Sequence, residues 1–212
     1  MVKIADDSDR PLRQARSLAT EQNLIAASLS LLDEGGLDAC TAPALAARAG
    51  VAVGTIYARY RDKDALIAAA LMHMASLGNG KADGAFRDWA HEADDLEGFM
   101  RTVALSALTA ARDHRMLLIA VREFARKYPD EDWRDRFKAE QGRAREMILQ
   151  GALQRFSATV RGGEPSLRLA LAALYGAIEV TWIEPASGLF LSPPDAESFI
   201  DALVEMQLRY LS

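Results

Sequence analysis

The chain has 212 residues, of which half are apolar and 26% are charged, with a formal net charge of -5. This length allows one large domain or two smaller ones with a substantial core, and the composition excludes a disordered chain. The only cysteine, Cys40, excludes an internal disulfide, and the three histidines lack the spacing of metal ligands. No apolar run reaches the roughly 20 residues of a membrane span, and the first residues do not resemble a signal peptide. We therefore expect a helix-rich cytoplasmic protein without a cofactor or a metal site and without a membrane partner.

Charges are distributed unevenly along the chain. Residues 1–74 hold eight cations and nine anions, whereas the remainder holds 17 cations and 21 anions. The cations of the first part are clustered, and Arg10, Arg13 and Arg16 form a run without an intervening acid. This distribution is typical of a nucleic-acid-binding end attached to an acidic body, although a charge cluster is more often only a solvated face.

The N-terminal part predicts a flexible arm followed by a first helix and a short second helix. Residues 1–16 are polar and have no apolar period, so the arm either touches DNA phosphates or only solubilises the chain. Apolar residues with helical spacing from Thr20 to Glu34 predict a first helix, which Gly35 and Gly36 end. Thr41 is a typical N-cap residue for a second helix, with Pro43 tolerated in the first turn.

Gly50 stands between the second helix and a third one. A residue without Cβ readily adopts the left-handed conformation that ends a helix before the next begins. The third helix is predicted from Val53 to about Tyr60, with Ile56 and Tyr60 facing inward. Asp62 is a candidate cap for a fourth helix, whose first turn presents Lys63 and unpaired amides that suit a phosphate. Two short helices joined by such a turn predict a helix-turn-helix unit.

The stretches LIAASLSLLDEGG and CTAPALAARAGVAVGTIYARYRDKDAL carry the elements A-G-V, G-T-x-Y and K-D-x-L at fixed spacing. Through these elements the segment from Leu24 to Leu71 resembles the N-terminal part of the TetR family of bacterial transcriptional repressors. The resemblance implies an all-α fold with an N-terminal three-helix DNA-binding domain and a helical-bundle domain for effector binding and dimerisation. We expect residues 1–16 to form the arm, residues 17–63 the DNA-binding domain, and residues 64–212 the second domain.

The same resemblance implies which side chains meet DNA. Ala52 stands where the family usually has a capping serine, and Val53 is apolar, which suits contact with a thymine methyl. Arg59 suits either guanine, or a phosphate or acidic group. The residues expected on phosphates are Thr41, Thr55, Tyr57 and Lys63, and those expected to face bases are Val53, Gly54, Ala58 and Arg59.

Beyond Leu77 the stretch GNGKADGA, from Gly78 to Ala85, predicts a break in the helical pattern and the start of the second domain. The last two predicted helices are apolar on more than one face, so they are either buried inside a monomer or paired with their copies in a homodimer. The TetR resemblance implies the homodimer. Five helices are predicted after the break. Three are amphipathic, namely Leu96–Leu108, Met116–Tyr128 and Trp133–Phe156, and the last two are Ser166–Glu184 and Asp195–Leu211.

The resemblance also implies a pocket for a small-molecule effector among the middle helices. Glu179 interrupts the apolar run from Leu171 to Ile183, so we expect it either to meet an arginine, a pocket group or a cationic ligand, or to be exposed on one edge. Aromatic and methionine residues at helical spacing are more often ordinary core. The candidate lining residues are Trp89, Phe99, Val103, Met116, Phe124, Phe137, Tyr175, Glu179 and Trp182.

The sequence therefore predicts a TetR-like regulator rather than an enzyme. We expect a repressor that binds a palindromic operator in double-stranded DNA as a homodimer and is released by a small-molecule effector. One alternative is an all-helical enzyme that uses Glu179, His114 or His73 as acid and base, although no nucleophile-base set accompanies them. The other is a helical interaction module that does not bind DNA.

Overall fold

The structure is a computed structural model that describes the backbone of residues 10–183 and 195–212 and the side chains of residues 14–77, 93–183 and 195–212. This described part is all-α and contains no strand. A five-residue π-helical segment, Glu179–Ile183, directly follows α8. The α-helices are α1 (Arg10–Ala39), α2 (Ala42–Ala49), α3 (Val53–Tyr57), α4 (Lys63–Glu92), α5 (Leu96–Asp113), α6 (Arg115–Lys127), α7 (Glu131–Phe156), α8 (Gly163–Ile178) and α9 (Ala196–Leu211).

The chain divides into two compact units, Met1–His73 and Met74–Ser212. In the N-terminal unit, α2 packs against both α1 and α3. The backbone of α1 leaves the helical conformation at the predicted Gly35-Gly36 pair, where Gly36 has φ 67° and ψ -156°, a combination that only glycine adopts readily. A small core holds the unit together through fully buried side chains of every helix, among them Leu24, Leu32, Leu45, Ile56 and Leu66.

Three helix boundaries differ from the sequence prediction. The first helix begins at Arg10, so residues 10–16 are helical rather than part of an arm, and Pro11 stands in the first turn, where a missing N–H is tolerated. Residues 1–9 lie outside the described part. Helix α3 ends at Tyr57 rather than near Tyr60.

The third difference concerns the glycine-rich stretch from Gly78 to Ala85. The break predicted there is wrong, because α4 runs without interruption from Lys63 to Glu92. No proline stands in this stretch. A glycine inside a helix costs only about 0.5–1 kcal/mol relative to alanine, so glycines weaken a long helix without ending it.

In the C-terminal unit, α5 packs against α8 and α9, and α7 packs against α8. The core between these helices is aliphatic, with Phe99 and Phe156 as its aromatic pair at 5.7 Å between ring centroids. A separate aromatic cluster joins the end of α6 to the start of α7, and successive ring centroids lie 4.7–5.5 Å apart. Its members are Phe124, Tyr128, Trp133 and Phe137.

Helix α8 and the π-helical segment form the one stretch of the described residues, Gly163–Ile183, that is long and apolar enough to cross a bilayer by length and composition. Part of this stretch is buried in the core of the unit. Arg168 and Glu179 on the same stretch form ion pairs with side chains of other helices. These features are those of a core helix with one exposed face.

Candidate nucleic-acid interface

The turn between α2 and α3 has the predicted geometry. Gly50 adopts the left-handed conformation, with φ 68° and ψ 34°, and its N–H donates to the carbonyls at the end of α2. At the other end of α2, the hydroxyl oxygen of Thr41 accepts a hydrogen bond from the N–H of Ala44 at 3.2 Å. These two caps fix both ends of α2, which positions the start of α3.

Helix α3 presents one face to the core and the other to solvent. Ile56 is fully buried, whereas Tyr57 is 55% exposed and Val53 is 37% exposed. As predicted, Ala52 provides no side-chain hydrogen bond to the start of α3. Of the eight residues predicted to meet DNA, Thr41, Val53, Gly54, Tyr57, Ala58 and Arg59 are exposed and Thr55 and Lys63 are half-buried.

The start of α4 provides a capped helix end beside a cation. A carboxylate oxygen of Asp62 accepts a hydrogen bond from the N–H of Ala65 at 2.8 Å, and this bond is the main reason that the pKa of Asp62 is lowered. Lys63 Nζ donates to Asp64 Oδ1 at 2.8 Å. A phosphate at this helix end would therefore compete with Asp64 for the ammonium group of Lys63.

Arg59 points toward α1. Its Nη1 donates to Ser17 Oγ at 3.1 Å. Arg59 therefore makes an intramolecular hydrogen bond, and this bond to Ser17 would have to break before Arg59 could contact guanine. Ser17 had no signal in the sequence, because it is separated from Arg59 by 42 residues.

A further network that the sequence did not indicate ties α1 to α2. Arg48 donates two hydrogen bonds to the carboxylate of Glu34, at 2.6 and 2.7 Å, and a third to Ser30 Oγ at 2.5 Å. The hydrogen bond from Arg48, followed by one from Ser30, lowers the pKa of Glu34 to about 2. This bidentate pair orients α2, and with it the turn at Gly50, relative to α1.

The predicted effector-site residues occupy several places in the C-terminal unit. Phe99 and Val103 are core residues, while Phe124 and Phe137 belong to the aromatic cluster. Met116 is exposed. The side chain of Trp89 lies outside the described residues.

The remaining candidates stand near the end of α8. Trp182 packs edge to face against Phe199 at 4.6 Å between ring centroids. Tyr175 and Glu179 line a groove of about 400 Å³ between α7 and α8. A carboxylate oxygen of Glu179 lies 2.6 Å from Nη2 of Arg122, so its partner is an arginine, one of the alternatives foreseen from the sequence.

Helices α8 and α9 each expose an apolar face. On α8 the exposed residues Leu169, which is 57% exposed, and Ala173 lie one turn apart, and Val180 in the π-helical segment continues the exposed apolar residues. On α9, Met206 is 54% exposed and Tyr210 lies one turn further along the same side. Exposed apolar side chains aligned on one helix face are typical of protein-protein contact surfaces.

Comparison with known proteins identifies the N-terminal unit. Residues 24–70 match the family model of bacterial regulatory proteins of the tetR family. This match confirms the resemblance predicted for Leu24 to Leu71. No curated protein matches the sequence.

Solved structures match most of the chain. A putative TetR-family transcriptional regulator from Mesorhizobium loti MAFF303099 is 20% identical and has a TM-score of 0.66, covering 92% of this chain and 97% of that one. FadR from Bacillus subtilis in complex with stearoyl-CoA is 17% identical, with a TM-score of 0.61, and covers 90% of this chain and 99% of that one. The superantigen PfiT is 16% identical, with a TM-score of 0.62, and covers 88% of this chain and 95% of that one. At such identities the likeness shows the fold alone.

A capped turn between α2 and α3, an exposed face of α3 and a following helical unit give the chain a helix-turn-helix architecture. The chain has the all-α fold of TetR-family regulators, and its residues 24–70 carry the N-terminal domain of that family.

Proposed function

We propose that this protein is a transcriptional repressor that binds a palindromic operator as a homodimer and is released by a small-molecule effector. The observation that carries the proposal is the solvent-facing side of α3 beside the capped start of α4. Tyr57 is exposed on α3, and Lys63 presents its ammonium group at the start of α4. Ile56, on the core side of α3, is fully buried. Such a protein acts in the cytoplasm and is not an enzyme.

Phosphate contacts supply most of the affinity in this proposal. Val53, Gly54 and Ala58 offer no polar side chain to the edges of bases. Tyr57 and Lys63 are suited to phosphates, as is the start of α4. Base discrimination then depends on thymine methyl contacts of Val53, on Arg59 once it leaves Ser17, and on the spacing of two half-sites.

The exposed apolar faces of α8 and α9 support the homodimer. A two-fold dimer presents two recognition helices to a palindrome whose half-sites are about 34–36 Å apart, or a multiple of that distance. Dimerisation would also cover Leu169 and Met206, which are largely exposed in one chain.

Effector release follows from linkage. A ligand weakens DNA binding only if it binds the released state more tightly than the DNA-bound state. The described complex of the Bacillus subtilis FadR with stearoyl-CoA supports a small molecule as the kind of effector for this fold. Operator affinity that stays constant with every ligand that binds the protein would contradict this part of the proposal.

The first experiment removes the two best phosphate contacts together, as Tyr57→Ala with Lys63→Ala. We expect DNA affinity to fall at least tenfold. The slope of log affinity against log salt should decrease by about 0.9 for each lost phosphate contact of a lysine, measured by fluorescence anisotropy at several salt concentrations. Arg112→Ala on α5, an exposed cation outside the interface, is the matched control. Unchanged affinity in the double variant would favour an interaction module.

The second experiment tests the operator. Purified protein is used to select bound fragments from genomic DNA, and we expect enrichment of one palindromic sequence. Selection without any enriched palindrome would contradict the repressor proposal, whatever the behaviour of the variants.

A further inference from the structure

We propose that the groove between α7 and α8 binds a small organic carboxylate with an apolar body, with Arg145 as the group that recognises the carboxylate. The inference rests on the proposed function in that the bound carboxylate would be the effector. Three features of the groove support the inference: its volume, the pairing of its charged side chains, and the small and aliphatic residues that line it.

The groove has the size and shape of a small-molecule site. Its volume of about 400 Å³ is within the range of roughly 300–1,000 Å³ that is usual for ligand pockets. Three residues with little or no side chain, Gly142, Ala172 and Gly176, line it, and a Cβ built on either glycine would meet no atom within 4 Å. Leu149 and Leu171 add aliphatic surface.

Most charges at the groove already have partners of opposite sign. Arg168 donates to the carboxylate of Glu146 at 2.9 and 3.2 Å and to Glu164 at 2.7 Å. Glu179 pairs with Arg122 at 2.6 Å. Because Glu146 and Glu179 are already paired with arginines, neither carboxylate is well placed to bind a cationic group of a ligand.

Arg145 differs from the other charged residues that line the groove. Within the part of the chain whose side chains are described, no acidic group forms an ion pair with it. Its guanidinium carbon lies 5.4 Å from the centroid of the Tyr175 ring. A guanidinium held near an aromatic ring without an acidic partner retains N–H groups that can donate to a ligand. Tyr175 therefore holds a hydrogen-bonding fork at the edge of the groove.

The charge balance favours a carboxylate over a phosphate. One guanidinium matches a carboxylate in charge and in bidentate geometry. A phosphate monoester carries about -1.5 to -2 at neutral pH and would leave negative charge beside Glu146 and Glu179. The apolar body would then lie along Leu149, Leu171 and the short residues of the groove.

The test measures binding of two probes, octanoate and 4-phenylbutyrate, to the full chain by isothermal titration calorimetry. Each acid is compared with its primary amide, which has the same shape without the charge. We expect at least one acid to bind saturably, its amide to bind at least tenfold more weakly, and Arg145→Gln to reduce the affinity for the acid by about tenfold or more. Arg112→Gln, which removes an exposed arginine of α5 away from the groove, should not change it.

A second variant tests the location. Gly142→Leu fills the groove from α7 and is compatible with the fold, because a Cβ there meets open space and leucine favours a helix more than glycine does. We expect it to abolish binding of the acid while circular dichroism and sedimentation stay as in the wild type. A change of oligomeric state in Gly142→Leu would instead assign the groove to a contact between subunits and overturn the proposal.

Three other results would also overturn it: no acid binding more tightly than about 1 mM, equal binding of acid and amide, or binding that neither variant affects. The two proposals fail separately. Binding of a carboxylate that depends on Arg145, in a protein that enriches no palindrome, would reject the repressor and retain the groove. Enrichment of a palindrome without carboxylate binding would do the reverse.

Discussion

The two candidate sites of this protein differ in how far apart their residues stand in the sequence. The residues predicted to face DNA, from Thr41 to Lys63, belong to one continuous stretch, whose caps and turn have local signals. The groove is lined by residues of both α7 and α8, and its paired residues Glu146 and Arg168 are 22 positions apart in the sequence. A site built from local backbone geometry is visible in the sequence, whereas a site built by packing of two helices is not.

Substitutions in the two cores test whether the N-terminal and C-terminal units also unfold separately. They should change the free energy of unfolding more than any other substitution proposed below. Ile56→Ala removes a fully buried side chain of the N-terminal unit, and Leu174→Ala does the same in the C-terminal unit. Each should cost about 2–5 kcal/mol. We expect native-state hydrogen exchange to accelerate in α1–α3 for Ile56→Ala and in α5, α8 and α9 for Leu174→Ala. Equal acceleration of both units by either variant would show one cooperative unit and remove the contrast.

Substitutions at helix caps test whether the capping residues predicted from the sequence stabilise the N-terminal unit, and their expected effects on stability are smaller. Thr41→Ala removes the side-chain cap of α2 and should destabilise the N-terminal unit by about 1 kcal/mol. Ala52→Ser introduces a cap at α3, where none exists, and should stabilise the unit by up to about 1 kcal/mol.

Urea unfolding measures both cap variants. The matched control is Ala47→Ser, which places the same hydroxyl at an exposed position inside α2, where serine is slightly worse than alanine. If Ala52→Ser is no more stable than Ala47→Ser, the start of α3 does not have the geometry of a cap.

The smallest change in stability is expected for the Glu34-Arg48 pair. Its two residues are 14 positions apart in the sequence, although both belong to the N-terminal unit. Because the folded protein lowers the pKa of Glu34 from its ordinary value of 4.5 to about 2, the pair contributes stability above about pH 4.5. That contribution is lost as the pH falls toward 2. We expect Glu34→Gln to unfold about 1–3 °C below the wild type at pH 7, since the pair is exposed, and the difference to vanish near pH 2.

Thermal scans from pH 7 to pH 2 check this dependence. Arg48→Gln should reproduce the difference at neutral pH, and the double variant should add little to either single change. A difference that persists unchanged to pH 2 would show that it does not arise from the ionised pair.

Several features were predictable because they depend on neighbouring residues. Gly50 lacks a Cβ and takes the left-handed turn, Thr41 and Asp62 cap the helices that follow them, and Ala52 cannot. The helical periods of the second unit likewise match α5, α6, α7 and α9 in position. The stretch GNGKADGA misled the prediction, since glycine lowers helix stability without preventing a helix.

The amino-acid sequence by itself determined the helix-turn-helix and the faces of its helices, because caps, turns and apolar periods are set by residues within a few positions of one another. Tertiary structure alone decided that Arg59 turns to Ser17 and that Glu179 meets Arg122. It also decided that Phe99 and Val103 are core residues while Tyr175 lines a groove. These contacts join residues dozens of positions apart. Many distant partners fit any one side chain by chemistry, and only the packing of helices selects among them.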